Sequence, residues 1–381
     1  MMMKVLQFVA DGSPGGGTNH VLQLLRGLTG SCQPILMTQQ DSYLPREAQK
    51  LGVRVVTGDF LRSRINPSAI RLVRETICRH KPDLVHCHGG RAAFFRSLVR
   101  DRTPSVYTVH GFHFARKPPL ARLAGWCGEF WTFRRMQHVI FVCDFDRKLA
   151  VRSRLLPANK SFRVVYNGIP APCVEQPELQ EKLGVGFIGR MVYQKNPQLF
   201  VEVLDRLPDV HAVMVGGGDL ESEVVQLIKS RGLADRVRLY GSLGHEEALK
   251  VLSRLDVLLM TPRWEGLPLL PLEAMFLKVP VVSTSGGGIP EVIDHGRTGM
   301  LAESEDADQL ASHVNELLHN DSLRTEIIEN ASRKAASQFG QEVMLQRVME
   351  TYASLSRAPR KSPRPSLPTK LLSLWKASGS S

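Results

Sequence analysis

No stretch of this chain reaches the roughly 18 to 20 uncharged apolar residues that a membrane span needs. The opening MMMKVLQFVADGSPGGG has too short an apolar run, and no small-residue cleavage site before its glycines, for a secretory leader. The six cysteines (Cys32, Cys78, Cys87, Cys127, Cys143, Cys173) are scattered, with no CxxC pair and no zinc-ribbon spacing, so reduced core or loop thiols are expected in place of a disulfide framework. These lacks together point to a cytoplasmic protein. No internal repeat at short period marks a solenoid. Acidic residues are scarce at both ends. Residues 1–170 carry 26 Lys plus Arg against 10 Asp plus Glu, a charge of +16; residues 171–355 carry 17 against 27, or −10; the last 26 carry 6 against none. Net charge, +12 for the whole, governs association more than architecture, so one half is expected to face something anionic.

What the chain does have is length for two domains, 381 residues, with 43% hydrophobic and 23% charged residues, an ordinary globular balance. Over residues 1–170, short β-rich runs alternate with amphipathic stretches: KVLQFVA, PILMTQ, VRVVTGD, DLVHCH, SVYTVHG and VIFVCD as strands, NPSAIRLVRETICRH among the helices. That alternation predicts βαβ units and an open doubly wound parallel sheet. Proline-rich IPAPCVEQPELQEKL reads as a linker. The same grammar then restarts over 171–340 with VGFIGR, HAVMVGGG, RVRLYGS, DVLLMTP and VPVVSTS. A helix is expected over 341–356, crossing back to the first domain, and a basic, Pro- and Ser-rich tail over 357–381 is expected to be largely disordered.

Chemistry concentrates after two strands of the second half. EGLPLLPLEAM follows DVLLMTP, and a strand that runs through a glycine turn into a helix offers backbone N–H groups and a positive helix end to an anion. Gly266 permits close approach there, and Pro268 suits a first helical turn. Glu265 and Glu273 then face one crevice, where a carboxylate beside a diphosphate is useful as an acceptor for sugar and ribose hydroxyls. Two glutamates eight residues apart are equally what a solvated helix carries. In VGFIGRMVYQKNP, Arg190 just past a strand and Lys195 just before a helix suit a diphosphate, with Asn196 placed to cap that helix and Pro197 to open it.

The order of IGRMVYQKN, MVGGGDLESEVVQL, RVRLYGSL, DVLLMTPRWEGLPLLPLEAM and VPVVSTSGGGIPEVIDHGRTGML resembles the donor domain of family 4 glycosyltransferases, strongly from about Val185 to Glu303 and more weakly over Lys4 to Gly168. The resemblance implies an α/β GT-B fold, two doubly wound Rossmann-like domains facing across a cleft, and a hexosyltransferase-type activity (EC 2.4) with retention at the anomeric carbon. It places Glu265 on donor-sugar hydroxyls, Glu273 on the ribose, and Arg190 with Lys195 on the diphosphate. Backbone amides near Gly266 and Leu267 would complete these contacts, and the loop Tyr240 to Leu243 would border the base. Gly15 and Gly16 in SPGGGTNH match the N-terminal glycine loop that closes on the diphosphate, and His110 in VYTVHGFHF matches the active-site histidine. Two departures stand out: Lys278 replaces the usual glycine before VPVV, and Pro271 lies between the two glutamates.

The resemblance further implies a nucleotide-sugar donor, a UDP-sugar being favoured, and a glycan or lipid-linked acceptor of the cell-envelope polysaccharide type. Since two cations and a helix end face the diphosphate, no cofactor or divalent metal is expected. DFD at Asp144 to Asp146 reads as a helix cap; His86 and His88 in VHCHGG have no matching ligand pair, and His113 has no role implied. PPLARLAGWCGEFWTFRR interleaves Trp126, Phe130, Trp131 and Phe133 with Arg122, Arg134 and Arg135, a pattern that suits either the headgroup layer of an anionic membrane or a core helix with a basic rim. Peripheral contact at the inner face of the cytoplasmic membrane is the expectation that goes with the first, and KLLSLWK in the tail could add to it. No nucleic-acid motif accompanies the basic half. A GT-B nucleotide-sugar epimerase or hydrolase and a non-catalytic binding protein stay open as alternatives.

Overall fold

The computed structural model describes residues 2–63, 65–112, 114, 118–172, 182–303 and 305–356. His113, Cys173 with most of the proline-rich linker, and the basic tail with KLLSLWK lie outside the described residues. The chain divides into two compact units, Met1–Gly168 with the segment from Gln341, and Ile169–Gly340.

In the first unit the order is β1 (Lys4–Val9), α1 (Gly16–Leu28), β2 (Gln33–Gln39), α2 (Tyr43–Lys50), β3 (Arg54–Gly58), α3 (Pro67–His80), β4 (Leu84–His88), α4 (Gly90–Leu98), β5 (Ser105–Val109), α5 (Pro119–Arg135), β6 (His138–Phe141), α6 (Asp144–Arg152) and β7 (Ser161–Val164). All neighbours pair in parallel, in the order β3-β2-β1-β4-β5-β6-β7. Strand order reverses between β1 and β4, and at such a reversal the connections leave to opposite faces and open a crevice at the carboxyl edge. Helix α3 starts where the sequence says it should, with the Asn66 side chain accepting from the amides of Ser68 and Ala69. Helix α6 is capped differently. Cys143 is its N-cap and both Asp144 and Asp146 lie in its first turn, where their charge complements the helix dipole.

The second unit runs β8 (Val185–Ile188), α7 (Pro197–Asp205), β9 (Ala212–Val215), α8 (Glu221–Ser230), β10 (Val237–Gly241), α9 (His245–Leu252), β11 (Val257–Met260), α10 (Leu270–Phe276), β12 (Val281–Thr284), α11 (Ile289–Val292), β13 (Met300–Ala302), α12 (Ala307–His319) and α13 (Asp321–Gln338). Its parallel sheet has the order β10-β9-β8-β11-β12-β13, so the reversal falls between β8 and β11. Val185, Phe187, Phe200, Leu204, Met214, Leu259, Leu310 and Val314 are almost wholly buried in one core between sheet and helices. Each such side chain contributes about 1.5–3 kcal/mol.

The last helix, α14 (Gln341–Ser356), packs on α1 within the first unit. Its Met344, Val348 and Tyr352 join Val5, Leu24, Leu28 and Leu84 in a second core. Gly27 makes that approach possible, because a Cβ there would lie 2.1 Å from Leu345 Cδ1. Among the described residues no helix is long and apolar enough to cross a membrane.

Candidate active site

In the second unit the candidate residues gather at the carboxyl edge where β8 and β11 part. The turn after β8 and the loop after β11 are tied together by a set of bonds. Thr261 Oγ1 donates to the carbonyls of Lys195 (3.2 Å) and Asn196 (2.9 Å). The Arg263 amide donates to the Gln194 carbonyl at 2.9 Å, and Gln194 Nε2 returns a bond to the Trp264 carbonyl at 3.1 Å. The Arg263 guanidinium covers the Tyr193 ring at 4.2 Å. These ties bring Lys195 Nζ to 2.5 Å from Glu265 Oε1, with side chains only 22% and 12% exposed. Two groups to which the resemblance gives different parts of a donor thus form an ion pair. Asn196 does not cap α7 with its side chain; it sits in the left-handed region (φ 49) with no side-chain cap bond, so that its carbonyl meets Thr261. Arg190, just past β8, is exposed.

Glycine backbones set the spacing of these loops. A Cβ on Gly216 (φ +130) would stand 1.9 Å from the Gly189 carbonyl oxygen, and one on Gly287 (φ +76) would stand 2.0 Å from the Glu265 carbonyl oxygen. The Gly288 amide donates to that same Glu265 carbonyl at 2.9 Å. The triple glycine after β12 is therefore the backing of the Glu265 loop, a role the sequence alone did not assign.

Helix α10 begins at Leu270, with Pro271 in its first turn, where a missing N–H costs nothing. Pro268 lies in the approach loop, with Gly266 and the buried Leu267 beside it. The departure at Pro271 thus sets where the helix starts. Glu273 sits in the first turn with its side chain only 13% exposed, and burial pushes its carboxyl up to about 7. His245 Nε2 approaches it to 3.8 Å. Lys278 adopts φ +59 directly after the helix, the conformation for which glycine is the usual residue.

The first unit carries a separate set at its own reversal. Gly15 precedes α1 and Gly16 opens it, and the space that a Cβ would take at either position is open. The protein's own packing does not require glycine there. The next residue is the one that approaches a side chain: a Cβ on Gly17 would meet the His110 ring at 3.9 Å. His110, just past β5, is also met by the His20 ring, edge-on at 4.8 Å between centroids, and by His88, whose Nδ1 lies 3.4 Å from His110 Nε2. Sequence reasoning paired His88 with His86 and missed both these neighbours. His86 and His88, two apart, do share one face of β4, but only His88 reaches His110. Burial holds His20 down at about 4, against a smaller opposing effect from the Asn167 side chain.

His20, His88 and His110 offer ring nitrogens that all lie within 4.8 Å of one another. A tetrahedral ion with metal–nitrogen bonds of about 2.0–2.1 Å spaces its ligand atoms by about 3.4 Å. The His88–His110 pair has that spacing, within a set whose ring nitrogens all lie inside 4.8 Å of one another. Asp144 is engaged by Arg147 and, at 2.9 Å, by Lys148.

On α5 the aromatic stripe mostly turns inward. Phe133 is fully buried, Trp126 and Phe130 pack against the same core, and Trp126 Nε1 donates to the Ser153 carbonyl at 2.8 Å. The apolar groups presented outward are instead Leu120 and Leu123, 81% and 59% exposed, with Arg122 between them. The same helix holds a carboxyl that the sequence did not flag. Glu129 accepts from Tyr107 Oη at 3.2 and 3.1 Å, and burial pushes it up to about 7 despite that bond.

Comparisons with known proteins agree with this architecture. Residues 175–334 match the family model "Glycosyl transferases group 1", and residues 14–171 match "Glycosyltransferase Family 4". The chain is 26% identical over 279 residues to alpha-D-kanosaminyltransferase of Streptomyces kanamyceticus, covering 67% of this chain and 72% of that one. It is 28% identical over 305 residues to N-acetyl-alpha-D-glucosaminyl L-malate synthase of Bacillus anthracis, covering 74% and 77%. Among solved structures, Anabaena HepE in complex with UDP superposes with a TM-score of 0.80 at 21% identity, covering 93% of this chain and all of that one. With two matched models spanning most of its length and two Rossmann-like parallel sheets, the chain belongs to the group 1 and family 4 glycosyltransferases of GT-B fold.

Proposed function

We propose that this glycosyltransferase takes its sugar from a nucleotide-sugar, a UDP-sugar being favoured, and passes it with retention to a glycan or lipid-linked saccharide of the cell-envelope polysaccharide type. The observation that carries the reading is the Lys195–Glu265 pair held at the strand reversal of the second unit, with the buried Glu273 one helix start away. Lys195 and Arg190 are assigned to the diphosphate, whose growing charge they stabilise as the glycosidic bond breaks. Glu265 accepts from hydroxyls of the sugar, Glu273 from the ribose, and the amides near Gly266 and Leu267 complete the set. In the first unit Gly15, Gly16 and His110 are assigned to the donor phosphates and the reacting sugar. HepE, whose structure holds UDP, supports the choice of base.

No side chain in either set is placed as a covalent nucleophile, which favours a same-face route in which the leaving diphosphate stays close to the reacting carbon. Turnover of a UDP-sugar panel by Glu265→Ala, Lys195→Ala and His110→Ala tests the assignment. Each should lose about 10²-fold or more; wild-type turnover in all three would overturn it. Product analysis separates transfer from epimerisation, since an epimerase releases UDP with a free rearranged sugar and no glycoside.

The basic first unit and the Leu120–Arg122–Leu123 edge of α5 support an acceptor that is carried on an anionic membrane. Binding to anionic vesicles at low salt, lost on Leu120→Ser/Leu123→Ser, is the expected result. No affinity for such vesicles would remove the membrane from the proposal.

A further inference from the structure

A parallel sheet covered on both faces is normally apolar along its central strands. Here β1, β4 and β5 carry Gln7, His86, His88 and Thr108, all 4% exposed or less. Gln7 stands opposite His86 in the β1–β4 register and Thr108 opposite His88 in the β4–β5 register, so they form one polar stripe. Tyr352 of α14, fully buried, points its hydroxyl into the same stripe. Five buried polar side chains in the middle of a core are costly unless each is bonded, and a network of this kind is kept only where every member is satisfied.

The bonds form a single chain. His86 Nε2 lies 2.6 Å from Thr108 Oγ1, and His86 Nδ1 lies 2.6 Å from Tyr352 Oη. Gln7 Nε2 donates to Tyr352 Oη at 3.0 Å. Gln7 Oε1 lies 2.9 Å from His88 Nε2, and His88 Nδ1 lies 3.4 Å from His110 Nε2. Proton positions follow from donor and acceptor chemistry. The Gln7 amide nitrogen is spent on Tyr352, and its carbonyl oxygen can only accept, so His88 carries its proton on Nε2. Burial, and then the neighbouring His86, His110 and His20, hold His88 well below its ordinary value, so it stays neutral with a bare Nδ1. A bare Nδ1 facing His110 Nε2 needs a proton there.

We propose that His88 is a positioning residue for His110, and that the buried chain Tyr352–Gln7–His88 makes Nε2–H the tautomer of His110, so that the C-terminal helix α14 sets the state of that ring. The proposal rests on the reading that His110 meets the reacting sugar, and it adds how the ring is oriented and which nitrogen is protonated. With Nε2–H spent on His88, a neutral His110 offers an acceptor at Nδ1. Gly17 and the His20 ring also lie against the His110 ring, and the bond from His88 at the end of the chain from α14 fixes its rotation about the Cβ–Cγ bond.

Two measurements test this, one independent of activity. Long-range ¹⁵N–¹H correlation spectra of ¹⁵N-histidine-labelled full chain, assigned with His110→Gln, should show His110 as the Nε2–H tautomer in wild type and as a mixture in His88→Ala. An Nδ1–H tautomer in wild type would overturn the proposal. Kinetics use the member of a UDP-sugar panel that wild type turns over fastest. His88→Ala should lower kcat by on the order of tenfold or more with donor KM within about twofold, because the ring at the reacting sugar is displaced while the donor contacts assigned to Glu265, Glu273, Arg190 and Lys195 remain. His88→Asn, whose Oδ1 can stand in for Nδ1, should restore most of the loss, and the near-isosteric Tyr352→Phe should give a smaller loss with the fold intact. Equal kcat in wild type and His88→Ala, or no rescue by His88→Asn, would overturn it. If His110→Ala turns over like wild type while the Nε2–H tautomer is present, the hydrogen-bond chain stands and it is the role of His110 in transfer that fails.

Discussion

Glu273 and Glu129 both keep carboxyls near pH 7 by burial, from a reference of 4.5. In each case the folded-state value lies above the unfolded one, so the native state binds more protons between about 4.5 and 7 and stability falls as pH rises through that window. Glu129→Gln removes one such group. Its melting temperature should exceed that of wild type at pH 8 by more than it does at pH 5; an equal difference at both would show that the carboxyl is not held protonated. Glu273 has a further consequence if it accepts from ribose hydroxyls, because only the ionised form is a full acceptor. UDP binding should then release a proton near pH 6.5, seen as a dependence of the calorimetric enthalpy on the buffer's ionisation heat and absent in Glu273→Gln. The Lys195–Glu265 pair adds a stability test. Lys195→Met strands a mostly buried carboxylate and should cost about 3–5 kcal/mol, whereas Lys195→Met/Glu265→Gln should cost less than the single change while still abolishing turnover. A double variant less stable than the single would contradict this account of the pair.

At the scale of elements, the loop after β12 holds the Glu265 loop in place through backbone contact alone. Gly287→Ala puts a Cβ against the Glu265 carbonyl at a positive φ, so it should lower turnover by on the order of 10²-fold while the far-UV spectrum stays that of wild type. Unchanged turnover would mean that this backing is dispensable. Of the eleven strands that the sequence marked, nine are inner strands, largely buried and apolar because both faces are covered, and two, β3 and β10, are edges whose hydrophobic residues still showed. The two it did not mark lie at sheet edges. β7, Ser161–Val164, is half exposed and shows no apolar run, and β13 is three residues long. A cap that the sequence did assign, at Asn196, was overridden by a tertiary bond from Thr261, whereas Asn66 caps α3 with its side chain without having been singled out. The start of α10 moved from Pro268 to Leu270 because two prolines in one segment offer two possible starts, and only packing chooses between them.

Over the whole molecule, two alternations of strand and helix broken by a proline-rich stretch were enough to read two Rossmann-like units. The candidate residues other than His110 were legible because each follows a strand whose carboxyl end lies at a reversal of strand order, β1, β8 or β11, and a motif in sequence order records that topology; His110 follows β5, the strand next to β4. The contacts around His110 were not legible. Gln7, His20, His88 and Tyr352 come from four separate elements, and nothing in their local sequence states that they converge. The charge difference between the halves was legible as a number and gives vesicle binding its salt dependence: affinity should fall steeply between 50 and 200 mM salt, roughly as the Debye length shortens. The central claim is that the carboxyl edge of the second unit is the nucleotide-sugar site. Calorimetric titration of UDP into wild type, Lys195→Met and Glu273→Gln tests it most directly. The account predicts binding by wild type and a loss of about tenfold or more in each variant; equal affinity in all three proteins would contradict it.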